Sequence, residues 1–147
     1  MNESITQEDD FGCGAAYVAF VAQKPYSAIT ALLGQENAKT KGYYCRELVD
    51  VLAGFGLAYT YHYLKLHKAD LAYLEGSIVF LKRSKKYPSG HYIVRYRGKW
   101  MDSWINFVSN KNIVRARSGY RQRIPGIPQY VLYETCKNPC KSTSRRV

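Results

Sequence analysis

No apolar run in the chain approaches the roughly 18 residues that a membrane-crossing helix needs, so no membrane span is expected. The opening MNESITQEDD holds neither a basic cluster nor an apolar stretch, and no secretory leader is read there. Cysteine is scarce. The four at positions 13, 45, 136 and 140 are irregularly spaced, which suits free thiols in a reducing, cytoplasmic setting better than a disulfide framework. Histidine is scarcer, with three. Neither Cys136-x₃-Cys140 nor His62-x₄-His67 has the paired spacing of a zinc site, so no metal or other cofactor is expected. Internal repeats and interior low-complexity segments are also absent. Acidic residues are half as common as basic ones, 11 against 22, and the net charge of +11 excludes few partners. It suits nucleic acid, an anionic membrane surface or an acidic polypeptide.

What is present centres on residues 7–20, QEDDFGCGAAYVAF. Residues 15–22 are apolar on every side, the pattern of a buried central helix rather than a surface one. Cys13 falls where that helix begins. Unpaired amides at a helix N-terminus favour an anion, and thiols placed there are acidified nucleophiles. Gly12 and Gly14 flank the sulfur and are read as letting backbone and substrate approach it. The expectation is a nucleophilic thiolate at the start of a core helix.

The 147 residues suffice for one compact domain with a real core, assigned to 1–134, and 135–147 reads as a basic, disordered tail. Residues 27–33 predict a short helix ended by Gly34, 35–42 a loop, and 44–55 a helix with Leu48, Val51, Leu52 and Phe55 at helical spacing. The period then changes. Residues 57–64 alternate and are rich in tyrosine, 68–74 make one or two helical turns, and 77–82 read as a buried strand. Residues 91–97 and 99–104 form a hairpin around Gly98, and 112–117 and 130–134 supply further strands separated by a loop rich in proline and glycine at 125–128. Helices first and strands second predict an α+β domain, with Cys13 on the helical side of a cleft and His91 on the sheet side.

A cysteine nucleophile needs a base and a group to orient that base. His91 opens the hairpin and Asp102 lies on its return strand. A two-residue loop at Arg97-Gly98 sets Asp102 opposite Ile93 and diagonal to His91, roughly 7–8 Å between backbones. A three-residue loop sends the two to opposite faces. Turn chemistry favours Gly98-Lys99, with glycine first in a type II′ turn, and that register sets Asp102 opposite Arg95.

Gln7, five residues, Cys13-Gly14, a small-residue helix, and later Gly90-His91-Tyr92-Ile93-Val94 with an aspartate on the next strand resemble the papain-like cysteine peptidases. Within them the chain is most similar to the bacteriocin-processing peptidases that cut leader peptides after a double glycine, over roughly residues 5–105. The resemblance implies a bacterial cysteine endopeptidase of papain-like fold, with Cys13 as nucleophile and His91 as general base. Asp102 would orient the imidazole, and the Gln7 side-chain amide, with the Cys13 N–H, would meet the oxyanion. The substrate would be a polypeptide such as a leader peptide, and the net charge of +11, separately from the resemblance, suits an acidic one. The chain departs from the family at Gly12, where an acidic residue often stands, and at Ser103, where proline often follows the aspartate. No counterpart of the membrane exporter frequently fused to this peptidase is expected within these 147 residues.

Plainer readings stand beside these: an inert buried thiol at Cys13, an ordinary strand residue at His91, a surface carboxylate pairing with Arg95 at Asp102, and a solvated Gln7. The rival class is a nucleic-acid-binding module using KRSKK (82–86), RARSGYRQR (115–123) and KSTSRR (141–146). A third is a papain-like domain that transfers acyl groups or has lost activity.

Overall fold

The computed structural model describes residues 3–64 and 66–135. Four helices precede all six strands of an antiparallel sheet, giving the expected α+β order. The helices are α1 (Cys13–Ala22), α2 (Tyr26–Leu33), α3 (Gln35–Thr40) and α4 (Cys45–Gly54). The strands are β1 (Tyr59–Tyr63), β2 (Ile78–Leu81), β3 (His91–Tyr96), β4 (Lys99–Asp102), β5 (Gly119–Arg121) and β6 (Pro128–Glu134), in sheet order β1-β6-β2-β3-β4-β5. The last strand thus enters between β1 and β2. A 3₁₀ segment, Leu66–Tyr73, fills the connection between those two.

α1 is buried continuously from Gly14 to Phe20 and packs against α2, α4 and β3. Apolar residues all round are what that position demands. The sheet separates two cores by simple alternation. Ile78, Tyr92, Val94, Met101 and Leu132 face the helices, whereas Val79, Leu81, Ile93, Trp100 and Val131 face the opposite layer with Ala72 and Tyr87. The same period sets His91 and Asp102 on the face of Ile93 and Trp100, at the end of the sheet where the α1 N-terminus arrives.

Three local expectations are corrected. Residues 35–40 form α3 rather than a loop. Its sequence QENAKT is polar, but Ala38 is fully buried and its carbonyl accepts the Phe11 N–H at 2.8 Å, so tertiary contact holds a short helix that its composition does not announce. Residues 112–117 are not a strand. Ile113–Arg115 make a 3₁₀ turn, begun by the Asn112 side chain accepting the Val114 N–H at 3.1 Å, and Val114 is 87% exposed. The strand comes later, at Gly119–Arg121, paired to β4. The hairpin turn is Arg97-Gly98, because Tyr96 pairs with Lys99 and Arg95 with Trp100. Both turn residues have positive φ, 50° and 76°, which is a type I′ turn and not the type II′ turn favoured from the position of glycine. The Glu75 carboxylate, accepting the Arg97 N–H at 2.9 Å, holds the arginine in that left-handed conformation.

No helix among the described residues is long and apolar enough to cross a membrane. The tail from 136 onward, with Cys136 and Cys140, lies outside the described residues, as does the side chain of His67.

Candidate functional site

Cys13 is the first residue of α1, and no side chain caps that helix. Its sulfur and the His91 ring line one cavity of about 190 Å³, together with Gln7, Gly42 and Trp104. Gly12 is required here by packing: a Cβ would collide with the Tyr26 hydroxyl, which donates to the Asp9 carboxylate at 2.9 Å. A Cβ at Gly14 would press on Leu48. The close approach that these glycines permit is made in part by the protein's own side chains, Tyr26 and Leu48.

The turn at Arg97-Gly98 has the register that sets Asp102 diagonal to His91, and their side chains close the remaining gap. His91 Nε2 lies 2.7 Å from Asp102 Oδ1, which leaves Nδ1 for the Cys13 thiol, itself within hydrogen-bonding reach of the ring. Asp102 is completely buried. Its Oδ1 also accepts the Trp104 N–H at 3.0 Å, and its Oδ2 accepts Arg121 Nε at 2.7 Å. Arg95, the alternative partner, lies instead over the rings of Tyr73 and Trp100 at 5.3 and 4.9 Å. The imidazole is held flat by Tyr87, stacked at 4.8 Å, with the edge of Tyr17 at 6.4 Å.

Electrostatics follow from this packing. Burial alone would push the His91 imidazolium down, but the Asp102 carboxylate, with a smaller contribution from Cys13, outweighs it and raises His91 to about 10. Burial likewise would push Asp102 up, and His91, Arg121 and the Trp104 N–H together hold it down at about 2. The group whose folded value is raised stabilises most below its ordinary value of 6.5, and that contribution fades as pH rises toward about 10. The group whose value is depressed stabilises above 3.8, and its contribution is lost as pH falls through about 2. The pair therefore supports the fold most fully between 3.8 and 6.5. Melting temperatures of the wild type and Asp102→Asn, followed by calorimetry across pH, should differ most in that window, converge toward pH 2 as the carboxylate protonates, and narrow only in part toward pH 10, where Arg121 still pairs with Asp102. A gap independent of pH would show that the pair is not ionised.

Gln7 is 2% exposed and not solvated. Its amide donates to the carbonyls of Asp9 at 2.9 Å and Asp10 at 3.3 Å, and its Oε1 accepts the Ser103 hydroxyl at 2.6 Å. Ser103 also receives the backbone N–H of Gln7, at 3.2 Å, and its own N–H donates to the Tyr17 hydroxyl at 2.9 Å. The residue after the aspartate thus fastens the N-terminal arm to β4 and α1. Sequence reasoning missed three members of this network: Ser103, Tyr17 and Arg121. Tyr17 is one turn past Cys13 on α1, a spacing that could have found it. Arg121 was hidden in the basic run 115–123, where its charge reads as solvated, although it is committed to Asp102.

His62 stacks on Tyr133 at 5.6 Å on β1, away from this cavity. No group of three or more His, Cys, Asp or Glu among the described residues is placed to hold a metal ion. No protein-family model matches the chain, and no curated protein matches it either.

Proposed function

We propose that this chain is a papain-like cysteine peptidase that cleaves a polypeptide, with the bond after a double-glycine leader as one candidate. The observation that carries the reading is one hydrogen-bonded line: a thiol at the uncapped start of a buried helix, an imidazole within its reach, and a buried carboxylate 2.7 Å behind that imidazole. A cysteine, a base and an orienting acid in that order are the components of covalent acyl transfer.

In the proposed reaction the Cys13 thiolate adds to the scissile carbonyl carbon, and the carbonyl π electrons move to oxygen. The Cys13 N–H meets that oxyanion. Gln7 joins it if its longer contact, to the Asp10 carbonyl, is released, and such a donor is typically worth about 10²–10³ in turnover. As the C–N bond breaks, His91 gives its Nδ1 proton to the departing amine. The neutral ring then takes a proton from water, the hydroxide adds to the thioester, and the C–S bond breaks to return the thiolate. Asp102 remains ionised and holds Nε2–H in place throughout.

Competitive alkylation tests the nucleophile. With limiting iodoacetamide near neutral pH, Cys13 should label well before Cys45, whose thiol is pushed up by burial despite the Tyr92 hydroxyl 3.5 Å away. Peptide mass spectrometry reads the order. Labelling of Cys45 first would overturn the assignment.

A further inference from the structure

Beside the thiol cavity lies a larger groove of about 690 Å³, and the two share Lys41, Gly42, Tyr43, Phe80, Ser89 and Tyr92. A chain lying at Cys13 can continue into it without leaving the protein surface. The groove's charged lining has one sign only. Lys41, from the α3–α4 connection, Arg46 on α4 and Arg83 after β2 border it, and no aspartate or glutamate does. None of the three forms an ion pair with a described residue. Glu47, at the same end of α4, is already engaged, accepting the Tyr44 N–H at 2.8 Å within a capping box. Elsewhere at the site the cations are committed, Arg121 to Asp102 and Lys111, at the thiol cavity, to the face of Phe107 at 4.8 Å. Tyrosines 44, 61 and 130 line the same groove. Their rings offer apolar faces with little conformational freedom to lose on binding.

We propose that this tyrosine-lined cationic groove binds an acidic segment of the polypeptide whose scissile bond sits at Cys13. The inference rests on the peptidase reading and adds to it a substrate class. Three cations supplied by three separate elements suit several carboxylates spaced along an extended chain, which rises about 3.3 Å per residue, rather than a single anion. Exposed ion pairs are individually weak. Acting together they discriminate between charged and neutral chains and speed encounter at low ionic strength. The part of the +11 charge that faces this groove thereby acquires a recognition role.

The test measures binding apart from turnover. The full chain carrying Cys13→Ala is titrated by fluorescence anisotropy with a fluorescein-labelled peptide containing several Glu, and with its counterpart bearing Gln at the same positions. The Glu peptide should bind about 10-fold tighter or more at low salt. Arg46→Gln with Arg83→Gln should remove that preference while leaving binding of the Gln peptide and the circular dichroism unchanged. Equal binding of the two peptides, or a preference that survives the double neutralisation, overturns the proposal. Displacement of the Glu peptide by a mixed-sequence single-stranded DNA at lower concentration than by unlabelled Glu peptide overturns it too, and assigns the groove to nucleic acid. The two readings fail separately. If the Glu preference holds but wild-type protein never cleaves either peptide, the groove stands and the peptidase reading falls. If both peptides bind and are cut alike, the groove reading falls and the peptidase stands.

Discussion

Cys13→Ala and His91→Ala will each abolish peptide hydrolysis, with turnover falling on the order of 10⁵- to 10⁶-fold, the scale seen when one member of a hydrolase triad is deleted. The physical reason is the shared line of hydrogen bonds. Without the sulfur no acyl-enzyme forms, and without the imidazole no proton reaches the leaving amine. The double variant should be about as inactive as either single one, because residues that work as one unit are strongly non-additive. Losses that multiply instead would show the two acting in independent steps. Both variants should fold. Cys13 is only partly buried, at the helix start, and its replacement removes one sulfur atom. His91→Ala needs its own control, since it leaves Asp102 with Arg121 and the Trp104 N–H but exposes the face of Tyr87. Circular dichroism and the labelling rate of Cys13 in the His91 variant separate lost chemistry from lost structure. A domain that only transfers acyl groups would keep the fast labelling of Cys13 and release the amine without a free carboxylate, and one that only binds peptides would keep the labelling and release neither.

How far the sequence disclosed this arrangement depended on whether the signal was local. The all-apolar run 15–22 can be satisfied only by burial, so α1 and the position of Cys13 at its start were legible. So were the alternating strands, since one face in each had to meet a core. The register of the hairpin was legible only as a choice between turns, and a three-dimensional contact decided it. Glu75, far from the turn in sequence, holds Arg97 at positive φ and so fixes which residue faces Asp102. α3 was not legible because the contact that holds it, from Phe11 to Ala38, joins segments whose proximity no local pattern encodes. The insertion of β6 between β1 and β2 is likewise a property of the whole chain. Arg121 escaped for a related reason. A basic run looks alike whether its charges are solvated or one of them is spent on a buried carboxylate 19 residues away.

Asp102 is shared between two cations, with His91 on Oδ1 and Arg121 on Oδ2, both at 2.7 Å. Removing the carboxylate leaves both unpaired around a fully buried position, so Asp102→Ala should destabilise the fold by about 3–5 kcal/mol, the usual cost of orphaning a buried charge. Asp102→Asn keeps the volume and loses the charge. Its hydrolysis should fall on the order of 10⁴-fold, less than for Cys13→Ala, since the imidazole still faces the thiol but is no longer held in the right tautomer and orientation. Arg121→Met separates positioning from packing. With the guanidinium gone, Asp102 attracts His91 undiluted and loses one of the interactions that depress it. The alkaline limb of kcat/KM, where His91 gives up its proton, should therefore move up in pH. Acid unfolding should begin at a higher pH than in the wild type, because the carboxylate is less depressed. The loss of kcat/KM at the optimum should be modest, about 10-fold. Arg121→Lys, which keeps the charge but not the second donor to the Ile105 carbonyl at 2.9 Å, should restore both limbs toward wild type and leave part of the lost stability unrecovered. A melting temperature that falls while neither limb moves would assign Arg121 to packing alone.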